Sequence, residues 1–518
     1  MLPRWSTWLV TVRGMATLAM LATCGLAAFA QPPPDKNDSP KPLPKEIVEA
    51  WKKAGAQVVW VHVDKFGNIH GSVGKEGKAG DLPAFWLSAW KEGLVAKLPV
   101  PAVAFGLGLQ GMQVTDAALK EVGALSSLQS LFLFGTKVTD AGLKDLAGLR
   151  SLQTLYLQEI KVTGAGLKEL AELKSLQTLS LGGREVTDAR LKELAGLKGL
   201  QSLNLLNTQV TGTGLKELTG LKSLQSLDLA QTRVADDGLR ELAGLKSLQA
   251  LNLRFTKVTD AGLKELVGLK SLQTLDLWQT KVTDAGVKEL AALKSLQALN
   301  LGHTEVTDVV LKELAGLKDL QSLNLAHAWE VTDAGLNELA GLKSLQTLDL
   351  SYTQVSDAGR KQLAGMTNLR TLNLEGTRGT DAGLKELAVL KSLESLNLWN
   401  NQVTDVGMKE LAGLKNLQSL NLGNTGVTDN GLKELARLKN LQSLNLAIGL
   451  VTDAGLKDLA ALKRLQSLDL HDTEVTDAGL KHLAALKNLQ TLTLHRTKVT
   501  YAGVKDLQEA LPGCQISR

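Results

Sequence analysis

At 518 residues, with 58 Lys and Arg set against 53 Asp and Glu, the chain carries a formal charge of only +5, too small and too dispersed for a nucleic-acid partner. Its two cysteines, Cys24 and Cys514, exclude a disulfide-stapled fold and a Cys-x-x-Cys redox or zinc motif. A chain this long would ordinarily form several globular domains, but a repeat running from about Leu107 to Thr500 predicts one elongated domain with end caps.

The N-terminus has Arg4 and Arg13, no acidic residue before Asp35, an apolar run from Met15 to Ala30, and a small-x-small site at Ala28-Phe29-Ala30. Residues 1–30 therefore read as a secretory signal cleaved after Ala30, and the expected location is exported: periplasmic, cell-surface or secreted. An uncleaved anchor, or a lipidated Cys24 in Leu21-Ala22-Thr23-Cys24, are the alternatives, and the only routes to a membrane. Cleavage removes Arg4, Arg13 and Cys24, leaving a charge of +3 and a lone thiol at Cys514.

Residues 31–44 form a Pro-rich spacer that cannot bury apolar surface. Residues 45–102 read as an N-terminal cap: a helix from Lys45 through Ala54, a strand at Gln57 to Val63, a turn at Lys65-Phe66-Gly67-Asn68 and a second strand near Ile69 to Val73. Trp51, Trp60, Phe66, Phe85, Trp86 and Trp90 gather here and are assigned to sealing the end of the core, with a carbohydrate or peptide site as the sharper alternative. The repeats occupy 103–500, and 501–518 form a C-terminal cap in which Cys514 is a capping residue.

A Thr-Asp pair marks each repeat, at Thr115/Asp116, Thr139/Asp140, Thr187/Asp188, Thr259/Asp260 and Thr283/Asp284, and on to Thr476/Asp477 with one extra residue near Ala328 and Trp329. Degenerate copies such as Thr163/Gly164, Ala235/Asp236 and Ser356/Asp357 bring the total to about 17 units of 24 residues. In one unit, Leu131 and Leu133 alternate with outward residues, whereas Leu143, Leu146 and Leu149 recur at helical spacing, so the unit is strand, turn, short helix. No unit can bury both its faces alone; stacking makes a continuous leucine core. A hydroxyl column at Thr136, Thr208, Thr232, Thr256 and their equivalents is placed to satisfy turn amides, with departures at Ile160, Arg184, Asn401 and Gly449. Asp140 and its counterparts read as helix caps, and Gly142 and its counterparts as sites of close helix-to-turn approach.

The motif Leu-x-x-Leu-x-Leu-x-x-Thr-x-Val-Thr-Asp-Ala-Gly-Leu-x-x-Leu resembles the leucine-rich repeat family over roughly four fifths of the chain, and its Val-Thr-Asp-x-Gly-Leu stretch is most similar to the cysteine-containing subclass of F-box receptors and long exported bacterial proteins, with Thr in place of Cys. The resemblance implies an α/β fold, a right-handed horseshoe with a parallel concave sheet and short convex helices, and protein recognition as the activity. Leu43 to Val48 resembles the opening of an F-box, which would imply a ubiquitin-ligase substrate receptor, but Val58 to Val63 reads as a strand where an F-box continues as helices.

The residue between the two strand leucines faces the concave side and forms a ladder from Asn204, Asp228, Asn252 and Asp276 through Asn445 to Asp469, read as an amide ladder that keeps the sheet face wet. Phe132, Phe134, Tyr156, Phe255, Trp278, Tyr352 and Trp399 fall in outward columns and are the expected partner-binding residues, left in water unless a partner covers them. His471 and His495 share a column with Asp469 and Asp472 beside them, a geometrically conceivable divalent-metal site; His303 and His327 form a similar pair without a ladder Asp beside them. No nucleophile elbow, phosphate loop or His-Glu-x-x-His is present, so no enzyme activity and no cofactor are expected. The expected function is an exported, non-enzymatic scaffold binding a protein partner on its concave face. The alternatives are a structural cell-envelope protein without a specific ligand, or a glycan binder.

Overall fold

The computed structural model describes residues 41–64, 66–72 and 77–518, in two compact units that divide in sequence between Asp276 and Leu277. The proposed secretory signal, Cys24 and most of the Pro-rich spacer lie outside the described residues. The first unit opens with helix α1 (Lys45–Lys53), strands β1 (Ala56–Val63), β2 (Ile69–Ser72) and β3 (Leu82–Leu87); β1 pairs antiparallel with both β2 and β3. From β3 onward the strands are parallel, through β4 (Phe105–Gly108), β5 (Leu128–Phe132), β6 (Thr154–Tyr156), β7 (Thr178–Ser180), β8 (Ser202–Asn204), β9 (Ser226–Asp228) and β10 (Ala250–Asn252) to β11 (Thr274–Asp276). The second unit continues the pattern with β12 (Ala298–Asn300), β13 (Ser322–Asn324), β14 (Thr347–Asp349), β15 (Thr371–Asn373), β16 (Ser395–Asn397), β17 (Ser419–Asn421), β18 (Ser443–Asn445), β19 (Ser467–Asp469), β20 (Thr491–Thr493) and β21 (Gln515–Ser517), in parallel register throughout. A short helix separates successive strands, so each unit is a solenoid with an open sheet. Among the described residues no helix is long and apolar enough to cross a membrane.

Three-residue strands have no independent stability, and the core shows what holds them. Leu131, Leu133, Leu143, Leu146 and Leu149 are all fully buried, and the same columns are buried in repeat after repeat. At the N-terminal end, Trp51 stacks on Phe85 with ring centroids 4.3 Å apart, and Phe105 meets both edge-on, closing that end of the leucine column. The buried Thr column donates to the strand end: Thr136 Oγ1 gives its proton to the Leu133 carbonyl at 2.8 Å, Thr304 and Thr473 do the same to Leu301 and Leu470, and Thr232 also accepts from the Val234 turn amide at 3.5 Å.

The Asp column is not a set of helix caps. Thr139 is the cap, accepting from the Ala141 amide, while the Asp140 carboxylate reaches forward to the next repeat and accepts from both the amide and the hydroxyl of Thr163. The same two-pronged clamp recurs from Asp188 to Thr211, Asp284 to Thr307 and Asp405 to Thr428, typically at 2.6–2.8 Å. It also explains the Gly column: a Cβ at Gly142 would stand 2.5 Å from Asp116 Oδ1, the carboxylate of the preceding repeat. Where that carboxylate is missing, at Gly164, the facing residue one repeat on is Arg190 rather than Gly, and where Gly212 replaces Asp, its would-be partner is Ala235 rather than Thr. Val310 is a departure that keeps its clamp, with Asp284 still bound to Thr307.

One repeat carries a polar graft inside the leucine core. Arg360 occupies a helix column filled by Leu336 and Leu384 on either side, yet it is fully buried. Its guanidinium donates to Asn401 Oδ1, Thr377 Oγ1 and the Thr380 carbonyl, its Nε has no partner, and burial pulls its pKa down to about 10. Gly379 replaces the valine of the neighbouring repeats because any Cβ there would overlap the guanidinium.

Asp405→Ala should lower the stability of the full chain by about 2 kcal/mol, and a double-mutant cycle with Thr428→Val should show a coupling of about 1 kcal/mol or more. Urea unfolding reads both, and additive losses would dismiss the clamp. Replacing the buried polar group wholesale, with Arg360→Leu, Gly379→Val and Asn401→Thr together, should raise stability by about 1–4 kcal/mol, while Arg360→Leu alone, which leaves a void at Gly379, should raise it less.

Candidate binding surface

Three outward columns follow from the strand geometry. The first is the Asn/Asp ladder, and its side chains are already committed. Asn204 Oδ1 accepts from the Leu206 amide at 2.9 Å, Asn324 from Ala326 and Asn445 from Ala447 at 2.8 Å, each ending its strand as an Asx turn. Neighbouring members also join: Asn204 donates to Asp228 at 3.3 Å and Asn373 to Asp349 at 3.0 Å. Burial pushes both Asp228 and Asp349 above the usual carboxylate range against the pull of these hydrogen bonds. The ladder is thus structural first, and polar lining second.

The second column, two residues beyond the ladder, holds Phe134, Trp278, Trp399, His471 and His495. The third, one residue further, has left-handed backbone throughout, with φ of +56° at Phe255, +54° at His303, +58° at His327 and +55° at Tyr352. Gln231, Ile448 and Arg496 adopt the same conformation, so the strain belongs to the turn and not to any one site.

Phe132 and Tyr156 were expected in water, and the structure corrects this: they are 3% and 6% exposed. The β1–β2 hairpin lies over them, so that Val59, Val61 and Ala84 pack with Phe132 and Tyr156, and Val63 and Trp86 flank the cluster. The hairpin turn is tied down on the sheet face as well. Tyr156 Oη donates to the Gly67 carbonyl, and Ser202 and Ser226 both donate to the Phe66 carbonyl at 3.1 Å. Burial, with the nearby Asp64 charge, drives the Tyr156 phenol well above its ordinary range. Phe134 and Phe255 do remain exposed, at 41% and 40%, with Arg254 over the Phe255 ring.

In the second unit the outward aromatics gather into one network. His303 stacks on His327 with centroids 4.0 Å apart, His327 stacks on Tyr352 at 4.5 Å, and Trp278 and Trp329 meet the histidines edge-on at 4.8 and 5.3 Å. Trp329, next to the inserted position, is 55% exposed. Tyr352 Oη donates to Glu375 at 2.8 Å, and burial together with that carboxylate pushes its pKa up to about 12. His303 is pulled below the usual imidazole range by burial and then by His327; His327 is pulled down by burial, opposed by Asp349 and Glu375. This network was legible only as columns: His303, His327 and Tyr352 share one register position in consecutive repeats, and Trp329 entered with the insertion.

The four residues of the supposed metal site do not converge. Asp469 Oδ1 accepts from the His471 amide and lies 3.0 Å from its Nδ1, whereas Asp472 pairs with Arg496 at 3.2 Å. Among the described residues no group of three or more His, Cys, Asp or Glu is placed to hold a metal ion. Trp399 stands further along the second column, with its ring on Gly423.

Short parallel strands, interleaved helices and an open outward sheet define a repeat scaffold that presents surface rather than a pocket. The family described as leucine-rich repeat region matches residues 179–404, and leucine-rich repeats in two copies match 391–433. The chain is a leucine-rich repeat protein, and scaffolds of this family typically mediate protein–protein interaction and are generally not enzymes. Among solved structures it is similar to a leucine-rich repeat protein of Leptospira interrogans (27% identity, 80% of this chain and 96% of that one, TM-score 0.45) and to an internalin of Listeria monocytogenes (25% identity, 68% and 88%, TM-score 0.44). It is also similar to the Arabidopsis receptor kinase HAESA, solved with a peptide hormone and a co-receptor (16% identity, 79% and 72%, TM-score 0.44). No curated protein sequence matches the chain.

Because Phe132 is core rather than surface, Phe132→Ala should cost about 3 kcal/mol and loosen the hairpin, seen as faster amide exchange in β1 and β2. An unchanged stability would return Phe132 to the solvent face. The stacked imidazoles bind protons less readily folded than unfolded, so their contribution to stability is present above the ordinary histidine range and lost as pH falls through the folded values. NMR titration should find the His303 pKa raised in His327→Gln.

Proposed function

We propose that this leucine-rich repeat protein is an exported, non-enzymatic scaffold whose protein partner docks on the outward aromatic network of the second unit: Trp278, His303, His327, Trp329 and Tyr352. The observation that carries the reading is that five rings in mutual contact lie in outward columns, with Trp329 largely in water, in a chain whose core is built from leucine. Rigid aromatic side chains with polar tips are the residues that dominate interface energies. On the first unit, taken by itself, exposed Phe134 and Phe255 are the candidate contacts, and Phe132 and Tyr156 belong to the core beneath the hairpin. Arg4, Arg13, the apolar run to Ala30 and Ala28-Phe29-Ala30 support export with cleavage after Ala30.

The test uses residues 31–518 immobilised against envelope extract, followed by affinity measurement for each captured protein. Trp329→Ala and Tyr352→Ala should each weaken a true partner by roughly thirtyfold, about 2 kcal/mol, while Lys264→Ala on a helix of the first unit should not. Equal affinity for all three variants would overturn the reading and favour an envelope protein without a specific ligand.

A further inference from the structure

Trp399 lies outside the docking network, although it rests on the next repeat just as Trp278 rests on Gly302. A Cβ at Gly423, one repeat on in the same column, would overlap Cζ3 and Cε3 of its indole, so the ring rests directly on the glycine backbone. Its next aromatic neighbour is His471, three repeats on and two residues beyond the end of β19, yet their ring centroids are 6.4 Å apart with planes inclined by only 28°. Strands are spaced by roughly 4.8 Å, so upright side chains in the turns that follow β16 and β19 would stand about 14 Å apart. The two rings must therefore lie along the sheet and reach toward each other. Ala447, in the turn after the intervening β18, is fully buried, and Trp399 and His471 remain only half-buried. The result is a flat aromatic floor laid over small residues.

Polar groups rim this floor in the ladder column. Asn421 and Asn445 accept strand-end amides through Oδ1, and their Nδ2 groups donate to no acceptor among the described residues. Asp469 uses Oδ1 toward His471, and its Oδ2 accepts from no donor among the described residues. A planar ring face beside unspent amide donors and a carboxylate oxygen matches one chemistry closely: a pyranose with equatorial hydroxyls. Its axial C–H bonds form a flat apolar face for the indole, and its edge offers alternating hydroxyl donors and acceptors. A protein hot spot would more often present a protruding side chain or an apolar pocket than a flat floor edged by amides.

We propose that Trp399, His471, Asn421, Asn445 and Asp469 form a carbohydrate-binding platform for a neutral, extended β-1,4-linked oligosaccharide of gluco configuration. The rings supply the stacking floor for successive sugar residues. Asn421 and Asn445 donate to their hydroxyls, and Asp469 accepts. The site is separate from the docking network, and does not depend on it.

Isothermal titration of residues 31–518 with cellohexaose and with hexa-N-acetylchitohexaose tests the platform, with α-linked maltohexaose as the curved-chain control. Binding of at least one β-linked hexamer is expected, weakened about tenfold or more by Trp399→Ala and less by Trp399→Phe. Asn421→Asp keeps the Oδ1 acceptor, which Asp349 and Asp469 supply in their own repeats, and removes only the donor; it should weaken binding with the unfolding midpoint unchanged. Trp329→Ala should leave the titration as it was, which separates this site from the protein-docking one. No binding of either β-linked hexamer, equal binding of maltohexaose, or affinity indifferent to both Trp399→Ala and Asn421→Asp would overturn the proposal. So would loss of a captured protein, rather than of sugar, in Trp399→Ala.

Discussion

Each repeat lends a carboxylate to the next, and much of the local structure answers to that loan. Asp116, Asp140, Asp188, Asp284 and their successors hold the amide and hydroxyl of the following Thr, which fixes where the next helix begins and how closely two repeats approach. That approach crowds a Cβ at the facing position, which is glycine in most repeats and Val310 in one, and the leucine columns then meet at full burial. Hydrophobic stacking supplies most of the free energy, being proportional to area, but it is indifferent to register. The directional clamp supplies the register. Its two failures are instructive: after Gly164 the facing glycine becomes Arg190, and after Gly212 the clamped threonine becomes Ala235 while the facing Gly238 is kept, so one of the two partner constraints relaxes where the carboxylate is lost.

The same economy governs the polar face. Asn and Asp in the ladder first complete the backbone at the end of each strand, and only what is left over, an Nδ2 here or an Oδ2 there, is available to a ligand. The Arg360 graft shows the opposite case, a charge placed where leucine belongs and made tolerable by Gly379 and Asn401. Three substitutions that look independent in three different columns are one physical object.

In the first unit the sheet face is partly occupied by the chain itself. The hairpin turn is held by carbonyl acceptors at Phe66 and Gly67 and by an apolar cluster beneath β1, much as a short peptide would be held. The outward surface left open in the second unit is where rings gather, and there the left-handed turn sets their spacing by aligning His303, His327 and Tyr352 into a stack.

The repeat period, the strand and helix within each unit, the buried leucine columns and the family were all legible from residue order, because every one of these rests on contacts between a residue and its equivalent one repeat away. The outward placement of Trp278 and Trp399, two residues beyond the ladder, followed from the same two-residue alternation, whereas Tyr352, three beyond it, owes its placement to the left-handed turn. Residue order could not show that Asp140 serves Thr163 rather than its own helix, since both partners lie within reach of a helix start and only the packed distance between repeats chooses. Nor could it place Phe66 against Ser202 and Ser226, far downstream in the chain, and so bury Phe132 and Tyr156. A periodic pattern specifies neighbours at one fixed offset; a hairpin folded back across several repeats, or an imidazole and an indole meeting over three strands, is decided by the three-dimensional path of the chain.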